Sequence, residues 1–468
     1  MTYFRINFSD NIENGVFLRS RLSRRFRMPF YFITSGGLFI MKKDTYIIGF
    51  MLFALFFGAG NLIYPPTLGI DSGTSYWAAI AGFVITGVGL PILAVTAISF
   101  VKNDARELAD RVHPVFGLLF TSVVYLAIGP FFGIPRAATV AYEMSVEPFK
   151  GTESSLALFI FTSIFFILVF IVSLNPSKMV DRIGQYLTPI LLLAIVALAV
   201  GGFLLLDNPL QAPIDKYADS PFFSGFVEGY LTMDAIAALA FGIIVVNAFK
   251  ERGIKTQRDL VKSTLQAGAI TGIALIAVYA SIGWIGAKMA DHGTFTNGGE
   301  ILSAAAEAMF GSFGALLLGV IVALACLTTS IGLVVAAGQF FNRITSIPYN
   351  WVIIVVTVAS YIIANQGLDM IISYSVPVLV FIYPITIVLI LLTFLNRFFH
   401  GAASVYRGAI LVTIIISLYD GLIEFGFELP AVTSVMEKLP FFSIGLGWLV
   451  PAIFGGLIGL LFIERKRA

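Results

Sequence analysis

A membrane-length apolar segment that is interrupted near its middle constrains this chain more than any other feature. Residues 45–70 carry no charged side chain and are long enough to cross a bilayer. Near their centre stands Gly58-Ala59-Gly60-Asn61, followed closely by Tyr64-Pro65-Pro66. Glycine weakens a helix and proline cannot donate to its hydrogen-bond ladder, so backbone groups are left free where lipid offers no partner. The segment predicts a broken helix whose exposed ends hold a zwitterionic solute and its coupling ion.

The composition indicates a membrane protein. Hydrophobic residues make up 58% of the chain and charged residues 12%, and the mean hydropathy is +0.93. The lipid bilayer is therefore the expected surrounding, and nothing supports a nucleic-acid partner. The single cysteine, Cys326, lies in an apolar run and excludes a disulfide within the chain. We predict neither a cofactor nor an obligate protein partner.

Apolar runs of about 20 residues predict an all-α protein with twelve transmembrane helices. The runs lie near residues 45–70, 76–101, 114–135, 156–174, 186–206, 229–249, 268–287, 311–341, 349–366, 370–395, 408–423 and 439–463. An even number of spans places both termini on the same side of the membrane.

The basic residues indicate which side that is. With these spans, 24 of the 29 Lys and Arg residues fall at the termini or in alternate loops on one side. The five exceptions are Arg136, Lys150, Lys216, Lys288 and Lys438. By the positive-inside rule both termini are cytoplasmic, and we expect a multi-pass protein of the cell (inner) membrane.

Residues 1–40 differ in kind from the rest of the chain. They hold a basic run, Arg19–Arg27, and lack an apolar stretch followed by a cleavage site, so they do not resemble a signal peptide. One interpretation is a cytoplasmic basic tail against anionic headgroups; the favoured one is an upstream extension that the working protein does not need, with a natural start at Met41.

The sixth predicted span offers a counterpart to the first. It carries Ala240-Phe241-Gly242 near its centre and crosses in the opposite direction. Two weakened, antiparallel spans five apart predict a five-plus-five inverted repeat. Its units would be residues 45–206 and 229–395, within a transport core of 41–395, and residues 396–468 would add two helices and the cytoplasmic C-terminus. Alternatively, Gly242 only allows close helix packing.

Three adjacent hydroxyls in the eighth span, Thr328-Thr329-Ser330, are unusual in an apolar run. Hydroxyl and carbonyl oxygens are hard, neutral ligands that suit a cation which must leave again. Free carbonyls of the broken first helix would complete the shell. The alternative is that these hydroxyls bond only carbonyls of their own helix.

Two further residues within spans are candidates. Asp234, inside the sixth span, would bind a second cation or a proton, because charge inside a membrane is costly and is retained for function. Alternatively it caps a helix or pairs with Arg136 at the end of the third span. Tyr125 would donate its hydroxyl to a substrate carboxylate, or else serve only in packing.

Three segments resemble the branched-chain amino acid:cation symporter family of bacteria: Phe53–Pro66, Gly129–Glu143 and Gly229–Asp234. The resemblance extends over residues 41–468. It implies the leucine-transporter fold and import of leucine, isoleucine and valine together with a cation, usually sodium. A proton-coupled transporter of other neutral amino acids with the same fold remains the alternative.

The resemblance also implies a set of cation ligands. In sodium-coupled members of the wider superfamily, backbone oxygens before a Gly-x-Gly-Asn motif hold sodium, and here those positions are Ala54 and Phe57. Their eighth-helix ligands are similar to Ala325, Thr328 and Thr329. Tyr64-Pro65 departs from the arginine and aromatic residue that follow the motif in those relatives.

For the substrate, backbone amides around Gly58, Ala59, Gly60 and Asn61 would meet the carboxylate, and carbonyls near Ala240, Phe241 and Gly242 would accept the ammonium. A dry pocket would take the aliphatic side chain, where one methylene is worth about 1–3 kcal/mol, so the three amino acids would be poorly distinguished. A channel would need a filter loop, and none is visible in the sequence. A membrane enzyme would need clustered catalytic side chains within its spans, and these are also not visible, so we predict no enzyme activity.

Overall fold

The computed structural model describes residues 43–101, 105–146, 154–175, 188–214 and 216–462, together with two short strands. The chain divides into two compact units, 1–43 and 44–468. In the first unit, β1 (Tyr31–Phe32) pairs antiparallel with β2 (Phe39–Ile40), with Tyr31 opposite Ile40. The rest of the predicted extension 1–40 lies outside the described residues.

The described part of the second unit is helical. Its α-helices are α1 (Lys43–Phe56), α2 (Ala59–Ser72), α3 (Tyr76–Val84), α4 (Leu90–Ile98), α5 (Ala105–Ala109), α6 (Pro114–Leu126), α7 (Gly133–Ser145), α8 (Ser155–Ser173), α9 (Thr188–Leu205), α10 (Lys216–Asp219), α11 (Pro221–Glu228), α12 (Asp234–Glu251), α13 (Gln257–Lys288), α14 (Gly298–Ile344), α15 (Tyr349–Ala364), α16 (Leu368–Leu395), α17 (Ala403–Glu424), α18 (Pro430–Met436) and α19 (Leu449–Leu461).

Short irregular turns join or interrupt these helices. The 3₁₀ turns are Gly73–Ser75, Gly229–Thr232, Ala290–His292 and Phe442–Ile444, and the π-helical turns are Ile85–Gly89 and Ala127–Phe131. Gly311 interrupts α14 with φ +61°, which glycine adopts without steric cost. The π turn before α7 contains Pro130 and a non-helical Gly129, so the third predicted span is bent.

The helices are long and apolar enough for a membrane. Among the described residues, seven helical stretches qualify as spans by length and hydropathy, or eight if 221–232 and 234–251, bent by 45°, count as one. Three shorter apolar helices add to these: 191–205, Tyr349–Ala364 and Leu449–Leu461. The expectation of an all-α, multi-pass membrane protein is confirmed at this level.

The first and sixth predicted spans lie inside the helix bundle. Most residues of α1, α2 and α12 are buried. Helix α2 packs against α13 and α14, while α12 packs against α4, and α7 packs against α14. Close approach is possible because a Cβ at Gly69 would collide with the Gly283 carbonyl of α13. Both interrupted segments therefore meet away from lipid.

Candidate functional site

The first span is broken at Phe57 and Gly58, as predicted. Helix α1 ends at Phe56 and α2 begins at Ala59, and Gly58 between them is extended, with φ −132° and ψ −159°. The Gly58 N–H donates to Oδ1 of Asn61 at 3.2 Å, so the Asn61 side chain caps the start of α2. A Cβ at Gly58 would lie 2.9 Å from the Thr329 hydroxyl, which explains why glycine is needed here.

The two prolines play no part in this break. Pro65 and Pro66 lie inside α2, which continues to Ser72. Their carbonyls face α13, where a Cβ at Gly286 would collide with the Pro66 oxygen. The sequence pattern predicts a single interruption formed by the glycines and the prolines, whereas the structure confines the interruption to Phe57 and Gly58.

Five oxygen atoms converge beside this break. The Thr328 hydroxyl lies 3.1 Å from the carbonyl oxygen of Ala54 and 2.9 Å from that of Ala325. The Thr329 hydroxyl lies 3.3 Å from the carbonyl oxygens of both Ala54 and Phe57. These are the five residues that the sequence nominates for a cation, and the structure brings them together.

The two threonine hydroxyls of α14 contact carbonyl oxygens of the broken first span as well as one carbonyl of their own helix. Each hydroxyl has one proton, and Thr329 alone has three carbonyl oxygens within 3.3 Å, including that of Leu55 at 3.0 Å. These neutral oxygens offer a hard ligand set to a monovalent cation. The third hydroxyl, Ser330, has no hydrogen-bond partner among the described residues and is not in this cluster.

The sixth span is also broken, but not where the sequence predicts. Its two halves, 221–232 and α12, meet at 45° around Met233, whose φ of +67° is left-handed. The 3₁₀ turn Gly229–Thr232 precedes it, and the Thr232 hydroxyl donates to the Gly229 carbonyl at 2.9 Å. A left-handed methionine is strained, so the packing around it must hold the conformation.

The expectation that the sixth span opens around Ala240, Phe241 and Gly242 is wrong. These residues lie in the uninterrupted helix α12, where carbonyl oxygens accept the N–H groups of the following turn. A Cβ at Gly242 would lie 2.5 Å from the Ile98 side chain of α4. The glycine therefore serves close helix packing, which was the alternative left open from the sequence.

Asp234 begins α12 and connects three helices. Its Oδ2 accepts hydrogen bonds from Asn61 Nδ2 at 2.5 Å and from the Tyr279 hydroxyl at 2.9 Å. Asn61 Nδ2 also contacts the Tyr279 hydroxyl. Asp234 is only 3% exposed. The carboxylate thus ties α2 to α12 and α13, and its role as an ion or proton site stays a prediction.

Arg136 is the functional candidate that the sequence misplaces. The charge pattern puts it at the outer end of the third span, yet it lies in α7 and is 3% exposed. Nη1 donates to the Leu231 carbonyl at 3.1 Å and to the Tyr64 hydroxyl at 3.3 Å, and Nη2 donates to the Thr232 carbonyl at 3.4 Å. Among the described residues, no salt bridge joins it to Asp234.

Tyr125 lies apart from these groups. Its ring stacks on Phe340 at 4.1 Å and meets Phe341 edge-on at 6.4 Å. Phe340 follows Thr329 by three helical turns along α14, so the pair lies toward that helix's C-terminal end. The structure supports the packing alternative for Tyr125 and does not place its side chain around the cavity between the breaks.

A small cavity separates the two breaks. Its volume is about 30 Å³, which is room for one or two water molecules. The polar part of its lining comes from Gly58, Gly60, Asn61, Arg136, Thr232, Asp234 and Thr329. The apolar part comes from Leu55, Phe56, Ile128, Ala237 and Leu333. Opposed backbone ends, two opposite charges and an apolar wall thus surround one point inside the bundle.

Comparison with known proteins identifies the family of this chain. The sequence model of the family described as branched-chain amino acid transport protein matches residues 41–466. The chain belongs to this family. It is 47% identical to the branched-chain amino acid permease BrnQ of Bacillus subtilis over 427 residues, which cover 90% of this chain and 97% of the relative. It is 46% identical to the permease BraB of the same organism over 432 residues, 91% and 97% of the two chains.

Solved transporters share the fold of this family member. A Na⁺-coupled sialic acid symporter aligns with a TM-score of 0.58 and 14% identity, covering 91% of both chains. MhsT in complex with L-phenylalanine aligns with a TM-score of 0.55 and 16% identity, covering 90% of this chain and 98% of the other. The leucine-transporter-type fold expected from the resemblance is therefore confirmed. The protein is a transporter, and not an enzyme, because its family consists of permeases.

Sequence reasoning gave no binding role to three residues at or beside the two breaks, Arg136, Tyr279 and Met233. Arg136 and Met233 lie in two of the segments that carry the family resemblance, whereas Tyr279 lies in none of the three. A signal for Arg136 did exist, because an ionisable residue within a membrane segment is a functional suspect. The third span was ended one residue too early to include it, although the helix continues to Ser145.

Proposed function

We propose that this permease imports leucine, isoleucine and valine together with sodium, as a symporter that works by alternating access. The observation that carries the proposal is the convergence of three carbonyl and two hydroxyl oxygens at the first break. Two of the carbonyl oxygens belong to Ala54 and Phe57 at the end of α1, and the hydroxyls belong to α14. A cation bound there would hold the broken span against α14.

The chemistry of this cluster supports sodium. All five oxygens are hard and neutral, so a small monovalent ion can bind without meeting a fixed negative charge that would retain it. Opening of the gap between α1 and α14 would separate the ligands and release the ion. Cation binding would thus be coupled to the position of the first span, which also carries the start of α2.

The adjoining cavity supports an aliphatic amino acid as the solute. Polar groups of both breaks line it together with the apolar side chains of Leu55, Phe56 and Leu333. A volume of about 30 Å³ is too small for an amino acid, so the surrounding helices must part to admit one. Apolar walls discriminate weakly between branched side chains, at about 1–3 kcal/mol per methylene.

The proposed topology follows the charge pattern and the helices. Helices lie within each of the twelve predicted segments, and interruptions occur in the first and sixth. We place both termini in the cytoplasm of a bacterial inner-membrane protein, with inverted repeats at 45–206 and 229–395 and two further helices after residue 396. The names of the Bacillus subtilis relatives support the substrate class.

Uptake into proteoliposomes tests this function. We expect labelled leucine to accumulate when sodium is higher outside, to be unaffected by an equal potassium gradient, and to be inhibited by excess isoleucine or valine but not by glutamate. A pH gradient is imposed separately at equal sodium. Leucine uptake that is unchanged when both gradients are collapsed would contradict symport.

Proton coupling with other neutral amino acids is the second candidate. Asp234 favours it, because among the described residues it is the buried carboxylate, and its hydrogen-bond partners are the neutral side chains of Asn61 and Tyr279. The same vesicles decide between the two. Accumulation driven by a pH gradient without sodium would replace the sodium proposal with this one.

A further inference from the structure

Two opposite charges face the cavity between the breaks without pairing to each other. Arg136 and Asp234 both line it, and each is 3% exposed. In the part of the chain that the structure describes, neither takes part in a salt bridge. A buried charge whose hydrogen-bond partners are all neutral is costly, because such bonds do not replace a directly paired opposite charge. The cavity is therefore arranged for a ligand that brings both signs.

The guanidinium of Arg136 lies over the first turn of α2. A Cβ at Gly60, the second residue of that helix, would lie 2.8 Å from Nη2. The N-terminus of a helix carries partial positive charge and N–H groups without acceptors in the helix itself. The guanidinium and the start of α2 thus place two positive groups side by side at the cavity. Both would attract an anion that binds next to them.

The hydrogen bonds of Arg136 leave room for that anion. Its terminal nitrogens meet only neutral oxygens: two carbonyls of the second break and the Tyr64 hydroxyl, at 3.1 to 3.4 Å. Its Nε is buried and has no hydrogen-bond partner among the described residues. A carboxylate is the anion that a guanidinium fork binds best, through paired, charge-assisted hydrogen bonds.

Asp234 offers the complementary end. Its Oδ2 accepts from Asn61 at 2.5 Å and from Tyr279 at 2.9 Å, and these two bonds fix the orientation of the carboxyl group. Asn61 is also the residue that caps α2. The negative group is therefore fixed relative to the helix start over which Arg136 lies, and a ligand spanning the two would touch both breaks.

We infer that Arg136 and Asp234 bind the two ends of the zwitterionic substrate. The carboxylate of the amino acid binds beside both Arg136 and the first turn of α2, and its ammonium group lies against Asp234. The inference rests on the proposed function and adds the residues that select an α-amino acid over the same carbon skeleton with one charge. It also assigns the ammonium to a side chain rather than to backbone carbonyls of the sixth span.

Binding of three leucine-like ligands to the purified full-length protein in lipid nanodiscs tests the inference. The ligands are leucine, leucinamide, which lacks the carboxylate, and the corresponding α-keto acid, which lacks the ammonium. We expect Arg136→Gln to weaken leucine binding about 10- to 100-fold, while leucinamide binding is unchanged or tighter. Asp234→Asn should weaken leucine by a similar factor and spare the keto acid.

Arg111→Gln is the matched control. Arg111 also donates to a tyrosine hydroxyl, that of Tyr406 at 3.0 Å, and lies 5.9 Å from that ring, as Arg136 lies 5.7 Å from the ring of Tyr64. It does not line the cavity. We expect the ratio of leucine to leucinamide affinity to stay at the unaltered protein's value in this variant.

A merely structural role predicts a different pattern. If Arg136→Gln weakens leucine and leucinamide by the same factor, or leaves leucine unchanged, the inference is wrong. Should that variant not fold, Arg136→Lys must keep the preference for leucine over leucinamide, and Asp234→Asn must still lose leucine selectively over the keto acid; failure of either overturns it. Absence of leucine binding to the unaltered protein would instead overturn the proposed function itself.

Discussion

The two interrupted spans of this transporter are broken by different means. The first break lies at Gly58, and its own helix caps it, because Asn61 three residues later accepts the Gly58 N–H. The second lies at Met233, which adopts a left-handed conformation without glycine and does not cap α12 with its own side chain; the Thr232 hydroxyl accepts the first N–H of α12, that of Asp234, at a long 3.4 Å. Most of the hydrogen bonds to its polar backbone come from two distant helices, from Arg136 of α7 and Tyr383 of α16.

This difference indicates which of the two breaks can change its backbone conformation. A break that is formed by residues of its own segment persists when neighbouring helices move, because the glycine and the asparagine cap lie within one helical turn of each other. A break held by remote side chains can change when those helices move. We therefore expect the first break to keep its local backbone conformation while its span moves, and the second to change conformation when α7 and α16 move.

Gly60→Ala gives the largest expected effect, because the two breaks touch there. An added Cβ would lie 2.8 Å from Arg136 Nη2 and 2.9 Å from the Thr232 carbonyl oxygen. The arginine side chain can shift, but the Thr232 backbone cannot without altering the second break. We expect leucine uptake to fall about 100-fold, since overpacking displaces the binding groups.

Gly89→Ala is the control for this change. Gly89 lies in a helical stretch of the same bundle, and a Cβ there would meet no atom within 4 Å. Uptake and thermal stability in detergent should stay at the level of the unaltered protein. Uptake by Gly60→Ala within about twofold of normal would show that the two breaks are not coupled through this contact.

The contrast between the breaks also explains what the sequence could predict. The first break and the five cation-ligand candidates are local patterns: glycine and asparagine within an apolar run, and adjacent threonines in another. The break at Met233 has no such pattern, because methionine does not favour a left-handed conformation. Its position depends on tertiary contacts from Arg136 and Tyr383, more than 90 residues away in each direction.

Gly242 illustrates the opposite error. Its glycine suggested a mid-membrane interruption, yet it allows Ile98 of α4 to approach an intact helix. Composition alone does not distinguish a glycine that breaks a helix from one that lets two helices touch. The polar neighbours decide, because Gly58 has Asn61 in the next turn as a cap and Gly242 has only apolar residues around it.

Thr329→Ala sharpens the role assigned to the first break, with the next largest effect. It removes the hydroxyl that lies within 3.3 Å of the Ala54 and Phe57 carbonyls. We expect the sodium concentration that gives half-maximal leucine uptake to rise about 10- to 100-fold, because one ligand oxygen is lost. Thr328→Ala should behave alike, and Thr329→Ser, which keeps the hydroxyl, should remain near the unaltered protein.

The control is Thr413→Ala in α17. Thr413 is fully buried and bonds only the Ala409 carbonyl of its own helix, at 2.8 Å. Sodium activation should be unchanged in this variant. If Thr328→Ala and Thr329→Ala also leave sodium activation unchanged, the oxygen cluster is not the cation site.

Tyr383→Phe tests the second break and has the smallest expected effect. The Tyr383 hydroxyl accepts the Ala235 N–H at 3.3 Å, in the first turn of α12, while its ring stacks on Tyr230 at 5.0 Å. Phenylalanine keeps the stacking and leaves one buried N–H without its acceptor, at a cost of about 1–3 kcal/mol. We expect uptake to fall about 3- to 10-fold, as the bound geometry of the second break becomes less populated.

Tyr76→Phe, which removes the bond to the Ala280 carbonyl away from both breaks, should lower thermal stability but not the uptake rate of the folded protein. Equal uptake losses in the two variants would mean that the Tyr383 hydroxyl contributes only to general stability, and that the second break is fixed by backbone packing like the rest of the bundle.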